Sequence, residues 1–213
     1  MKTDDLVTLL ASGNVAVPRH ALERRMIAGV VTGSLGSMVM LFALLGVNPE
    51  LLAAVRMPMF WVKCLFAASL VLASLLMAAR LSRPAAALGL APAALASPLL
   101  AMGLLAMVSL LTAAPEQRAS LLFGQTWTVC PLLIALLALP VFVGTLWSVA
   151  GLAPTHLRLA GAASGLLSGA IAALVYCLHC PELAAPFVAV WYVLGMAVPS
   201  VLGALLGPRL LRW

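Results

Sequence analysis

Six runs of apolar residues, each about as long as a bilayer is thick, constrain this chain more than anything else in it. They cover roughly 26–47, 58–79, 85–112, 129–150, 159–178 and 187–206, and about 20 residues suffice for a helix to cross the hydrocarbon core. Only 8% of the residues are charged, against about 25% in a soluble domain, so lipid must be the solvent for most of the chain. The expected fold is an all-α membrane protein: a six-transmembrane-helix bundle over 26–213, preceded by a short N-terminal segment, 1–25, with an amphipathic helix. The third run is overlong and holds Pro92 and Pro98, which predicts a kinked or tilted helix. Pro140 and Pro199 interrupt the fourth and sixth.

The basic residues set the expected orientation. Lys2, Arg19, Arg24, Arg25, Arg80, Arg83, Arg158, Arg209 and Arg212 fall on the side of the termini, while Arg56, Lys63 and Arg118 fall on the other, nine against three. The positive-inside rule then puts both termini in the cytoplasm. The formal net charge of +6 is accounted for by this bias, so no direct nucleic-acid contact is expected. The opening residues hold Asp4, Asp5 and Glu23 and only a brief apolar cluster, unlike a cleavable signal.

Small residues recur four apart at Gly29 and Gly33, at Gly161, Gly165 and Gly169, and at Gly203 and Gly207. Such stripes let helix backbones approach closely. With six spans available, they predict packing within one chain, and thus a monomer or weak homodimer. "NPELLA" at 48–53 echoes "CPELAA" at 180–185. Either an inverted repeat or, more simply, shared helix-start chemistry (a cap, Pro at N1, an acid in the first turn) would produce the echo.

In the N-terminal segment Thr3 suits an N-cap, Asp4 and Asp5 suit the first turn, and Leu6, Leu9 and Leu10 form a short apolar stripe. A helix this short is marginal alone. Its acids would be repelled by an anionic leaflet, so a protein partner is favoured over membrane docking.

Residues 176–182, "YCLHCPE", concentrate the reactive side chains. Cys177, His179, Cys180 and Glu182 are all capable ligands, but their spacing is not that of a zinc site, and no firm metal site follows; Cys130, Cys180 and His179 are the candidates for one. Cys180 and Cys130, the latter in "WTVCP" at 127–131 beside Trp127, fall at the same outer depth. They read as a disulfide, a reactive dithiol or inert helix-end residues. Cys64 and Cys177 read as small apolar fillers. Lys63 and His179 could supply positive charge to a thiol. Lys63, about five residues from the outer end of its span, either snorkels or pairs with an acid such as Glu182. No nucleophile–base set, phosphate loop or cofactor motif is visible, so the chain is not read as an enzyme and no cofactor is expected.

"MKTDDLVTLLA" at the start, "PMFWVKCLF" at 58–66, "WTVCP" at 127–131 and "HCPELAAPFVAVWYVLGMAVPSVLGALLGPRLLRW" at 179–213 resemble the NrsF family, six-span inner-membrane anti-sigma factors of proteobacteria. The resemblance runs nearly end to end. It implies that the N-terminal segment, with Asp4, Asp5, Leu6, Leu9 and Leu10, holds an extracytoplasmic-function sigma factor at the bacterial inner membrane. It further implies that Cys130 and Cys180 sense a periplasmic stress, heavy metal or oxidant; His179, Glu182, Lys63 and Trp127, which lie near them in the sequence reading, are the candidate modulators. A small membrane transporter or redox carrier is the alternative.

Overall fold

The computed structural model describes residues 5, 7, 8, 21–83, 87–152 and 154–212. Helices dominate, and no strand occurs among the described residues. Helix α1 is Ala21–Met40, its end widened into a π-helical turn over Leu41–Leu45; α2 is the short Leu51–Ala54; α3 is Pro58–Leu81; α4 is Ala91–Thr112. Helix α5 is Pro115–Phe123, α6 is Cys130–Ala150 and α7 is Leu157–Tyr176. Helix α8, Ala185–Leu210, is continuous but contains a π-helical stretch at Val188–Tyr192. Six of these, α1, α3, α4, α6, α7 and α8, are long and apolar enough to cross a membrane.

One expected boundary is corrected. The third span begins at Ala91 rather than 85: Gly89 turns the chain with φ +53°, and Pro92 lies in the first turn of α4, where a missing N–H costs nothing. Only Pro98 lies inside that helix. The "NPELLA" and "CPELAA" copies both precede a span, but their local structures differ. Asn48 accepts the Glu50 amide at 2.9 Å and leads into the short α2, whereas residues 180–184 are not helical and α8 opens instead around Pro186.

Helix α7 is the axis of the bundle. Most of its residues are buried, because its small side chains admit neighbours on every side. A Cβ on Gly161 would strike the Gly203 carbonyl, and one on Gly165 the Pro199 carbonyl. The glycine stripes are thus consumed between α7 and α8, as the spacing predicts. Gly29 and Gly144 likewise bring α1 and α6 into backbone contact, with Val141 against Gly33. Helix α4 is the least buried span, touching mainly α3 and the start of α8.

The two ends of the bundle are fastened differently. At the end carrying both termini, Arg25 donates to the Trp147 carbonyl at 3.0 Å and its guanidinium lies 4.4 Å from the centre of that indole. Ser148 donates to the Arg25 carbonyl at 2.9 Å, and Gly151 leaves the room the guanidinium occupies. The opposite end is gathered around residues 177–184.

Candidate functional site

Residues 177–184 join the end of α7 to the start of α8, and four other segments converge on them. Asn48 donates its amide to the Leu178 carbonyl at 3.0 Å, and His179 Nδ1 lies 3.0 Å from the Gly46 carbonyl, so the loop is tied to the end of α1. His179 is therefore an anchor, held over Tyr176 at 5.6 Å between ring centres, and is turned to Gly46.

Lys63 is fully buried, at 0% exposure. Neither expected role holds for it. It does not snorkel, and its Nζ donates to the backbone carbonyls of Cys180 and Glu182, both at 3.0 Å, not to a carboxylate. An ammonium has three N–H groups to satisfy, and the Phe60 and Tyr192 rings lie 5.8 and 5.9 Å from it. This explains how a cation is tolerated at this depth: two carbonyls and two aromatic faces replace water.

The Glu182 carboxylate is committed elsewhere. One oxygen accepts the backbone N–H of Gln125 at 2.7 Å and of Thr126 at 3.2 Å, with the Thr126 hydroxyl at 3.4 Å. The turn that aims those amides follows α5, which the sequence signals at Ala114-Pro115-Glu116 but which is too short to stand out among the spans. Gly124 closes the turn at φ +54°, and a Cβ there would lie 2.6 Å from Glu182 Oε2. Trp127 is held beyond this latch, its ring 5.2 Å from that of Trp191 and 5.5 Å from that of Phe123; Trp191 in turn donates to the Leu122 carbonyl at 2.8 Å.

These ties set the thiols. Cys130, the first residue of α6, is held by its amide on the Thr126 carbonyl at 2.9 Å, and its thiol is in hydrogen-bonding reach of Cys180. Both are buried, Cys180 at 2% exposure. Four groups meet there. Tyr176 faces Cys130, and the fully buried Tyr192 hydroxyl, which has no partner of good hydrogen-bond geometry, sits against Cys180. Hydrogen bonding from Cys130 is the main influence on Cys180; with the Lys63 charge it outweighs burial and draws the Cys180 thiol down to about 6. The arrangement suits a dithiol poised for thiolate chemistry. All four cysteines are free thiols.

The candidate metal set is corrected. Cys130, Cys180 and His179 do not converge, because His179 is turned to Gly46, and no group of three or more His, Cys, Asp or Glu side chains among the described residues is placed to hold a metal ion. Of the candidate partner-binding residues, Asp5 is helical and exposed; Asp4, Leu6, Leu9 and Leu10 lie outside the described residues. A second pair was not anticipated: Cys64 and Cys177 are also within hydrogen-bonding reach of each other.

Comparison with known proteins agrees with the family resemblance of the sequence. The model of the family described as "NrsF: Negative regulator of sigma F" matches residues 10–213. The chain is 50% identical over 213 residues to the probable anti-sigma-F factor NrsF of Azospira oryzae, and 35% identical over 214 residues to the anti-sigma-F factor NrsF of Caulobacter vibrioides, in each case over the whole of both chains. No solved structure matches. These relatives are regulators of transcription rather than enzymes. The chain belongs to the NrsF family, the negative regulators of sigma F.

Proposed function

We propose that this protein holds an extracytoplasmic-function sigma factor at the bacterial inner membrane through its cytoplasmic N-terminal segment, and releases it when Cys130 and Cys180 change state on the periplasmic side. The observation that carries the reading is the span of α6. Its first residue is one of the paired thiols, and its last turn, at Trp147 and Ser148, grips Arg25 where the N-terminal segment enters the bundle. Helix α6 therefore touches both the sensing pair and the root of the partner-binding arm.

In the resting state Asp4, Asp5, Leu6, Leu9 and Leu10 cover a basic and apolar surface of the sigma factor. Oxidation to a disulfide, or capture of the two thiols by a soft heavy-metal ion, draws Cys130 and Cys180 to a new separation and displaces the start of α6 against α7. Packed interfaces switch between discrete arrangements rather than yielding smoothly. The close contacts of Gly29 with Gly144 pass that change to α1. A tenfold change in occupancy requires about 1.4 kcal/mol of bias, within reach of one covalent or metal-bound thiol pair.

A transporter draws little support. Among the described residues Lys63 is the one buried charged side chain, and it is fixed to the loop end of the bundle. A cavity of about 520 Å³ lies between α3 and α4 and is lined chiefly by apolar residues such as Val62, Leu65, Pro98 and Met102.

The test is co-purification of the sigma factor with the full chain and with a chain beginning at Arg25. Capture by the full chain alone is expected. Equal recovery from both would remove the reading.

A further inference from the structure

Cys64 and Cys177 take no part in the proposed release of the sigma factor. Cys64, on α3, packs against the buried cluster that holds Cys177 at the end of α7, where the two thiols influence each other, and the Cys177 thiol also donates to the Ala173 carbonyl at 3.2 Å. Cys177 is buried, like Cys130 and Cys180, whereas Cys64 alone of the four is half-exposed. That exposure is on the apolar surface of the bundle. On the same helix Trp61 and Leu65, 59% and 70% exposed, flank it where the surrounding solvent is lipid. The Cys130–Cys180 pair, by contrast, is enclosed beneath Lys63, Tyr176, Tyr192 and the 177–184 loop.

We infer that Cys64 and Cys177 form a second redox-active dithiol, entered from the bilayer and oxidised to a disulfide by a membrane-soluble hydroperoxide. Exposure and pairing divide the chemistry between the two residues. The Cys64 sulfur attacks the terminal peroxide oxygen, the O–O bond breaks, and the alcohol leaves with the thiol proton, which makes Cys64 a sulfenic acid. The Cys177 sulfur then displaces that hydroxyl, which departs as water with the Cys177 proton, and the S–S bond forms. Two thiols lose two electrons and two protons, and the hydroperoxide is reduced to alcohol and water. The disulfide would tie the start of α3 to the end of α7, at the root of the loop that carries Cys180.

This inference stands apart from the sensing role of Cys130 and Cys180, and its test reads the pairs separately. The full-length protein in lipid nanodiscs is treated with cumene hydroperoxide or with hydrogen peroxide at equal concentration, alkylated, digested without reduction and mapped by mass spectrometry. A Cys64–Cys177 bridged peptide is expected, forming several-fold faster with cumene hydroperoxide. It should persist in Cys130→Ser/Cys180→Ser and vanish in Cys64→Ala. Recovery of Cys64 and Cys177 unbridged, or bridging of either to Cys130 or Cys180 instead, would overturn the second dithiol; equal rates with the two peroxides would overturn entry from the bilayer. Bridging of Cys130 to Cys180 in the same digest, present or absent, bears only on the Proposed function.

Discussion

The Lys63 ammonium donates to the backbone carbonyl of Cys180 at 3.0 Å, from a side chain with no exposed surface. One buried cation thus pins the loop that carries the Cys180 thiol, and lends that thiol positive charge. Replacing it with an apolar chain of similar length, Lys63→Met, leaves the buried Cys180 carbonyl and the part-buried Glu182 carbonyl without a donor, the former worth about 1–3 kcal/mol. Relief from burying the charge offsets part of that. A net loss of about 1–3 kcal/mol is expected, read as a lower midpoint in thermal unfolding of the reduced protein in detergent.

The Cys180 thiol should show its low value directly. Hydrogen bonding from Cys130 draws it to about 6, below the ordinary thiol value of about 8.5. Labelling by a small thiosulfonate should therefore rise through a midpoint near pH 6, and in Cys130→Ala the midpoint should move upward. The sign for stability follows. A group whose value is depressed in the fold stabilises above its unfolded value and loses that contribution as pH falls through its folded one. The reduced protein should lose stability between about pH 8.5 and 6, and Cys180→Ser should lose less over the same window, as measured by chemical unfolding.

Glu182 and Gly124 form one latch. In Glu182→Ala the amides of Gln125 and Thr126 lose a charged acceptor, an interaction of about 1.5–3 kcal/mol. Gly124→Ala meets both a positive φ and the carboxylate itself. Both variants should slow formation of the Cys130–Cys180 disulfide under a mild oxidant such as diamide, followed by alkylation and mass mapping, because the start of α6 is then held less closely to the loop.

The glycine contacts make opposite predictions at two positions. Gly165→Val drives a branched side chain into the Pro199 carbonyl and should abolish stable folding, seen as loss of monodisperse protein after detergent extraction. Gly103, in the exposed helix α4, has open space where a Cβ would stand. There Gly103→Ala should be neutral or stabilise by up to about 1 kcal/mol through helix propensity.

Much of the architecture was legible because its causes are local. The length of an apolar run decides whether it spans, and Gly161, Gly165 and Gly169 announce a close helix contact by spacing alone. The start of the third span was not legible, since residues 85–90 are apolar and only the backbone at Gly89 and Pro92 shows where the helix begins. The partners of Lys63 were hidden for a different reason. They are main-chain carbonyls, which every residue has and no sequence pattern marks. Glu182, expected near Lys63, is drawn to the amides of Gln125 and Thr126, exposed by the Gly124 turn, and Gln125 lies 57 positions upstream of Glu182. Likewise the meeting of Cys64 with Cys177 depends on how α3 lies against α7, which nothing in either segment states.

The central claim is that the state of Cys130 and Cys180 governs the hold of the N-terminal segment on its partner. Retention of the sigma factor by the full-length protein in nanodiscs should be measured with the pair reduced and with it bridged, beside the Cys130→Ser/Cys180→Ser variant. The account predicts about a tenfold difference between the two states and none in the variant. Equal retention with the pair reduced and bridged would contradict it.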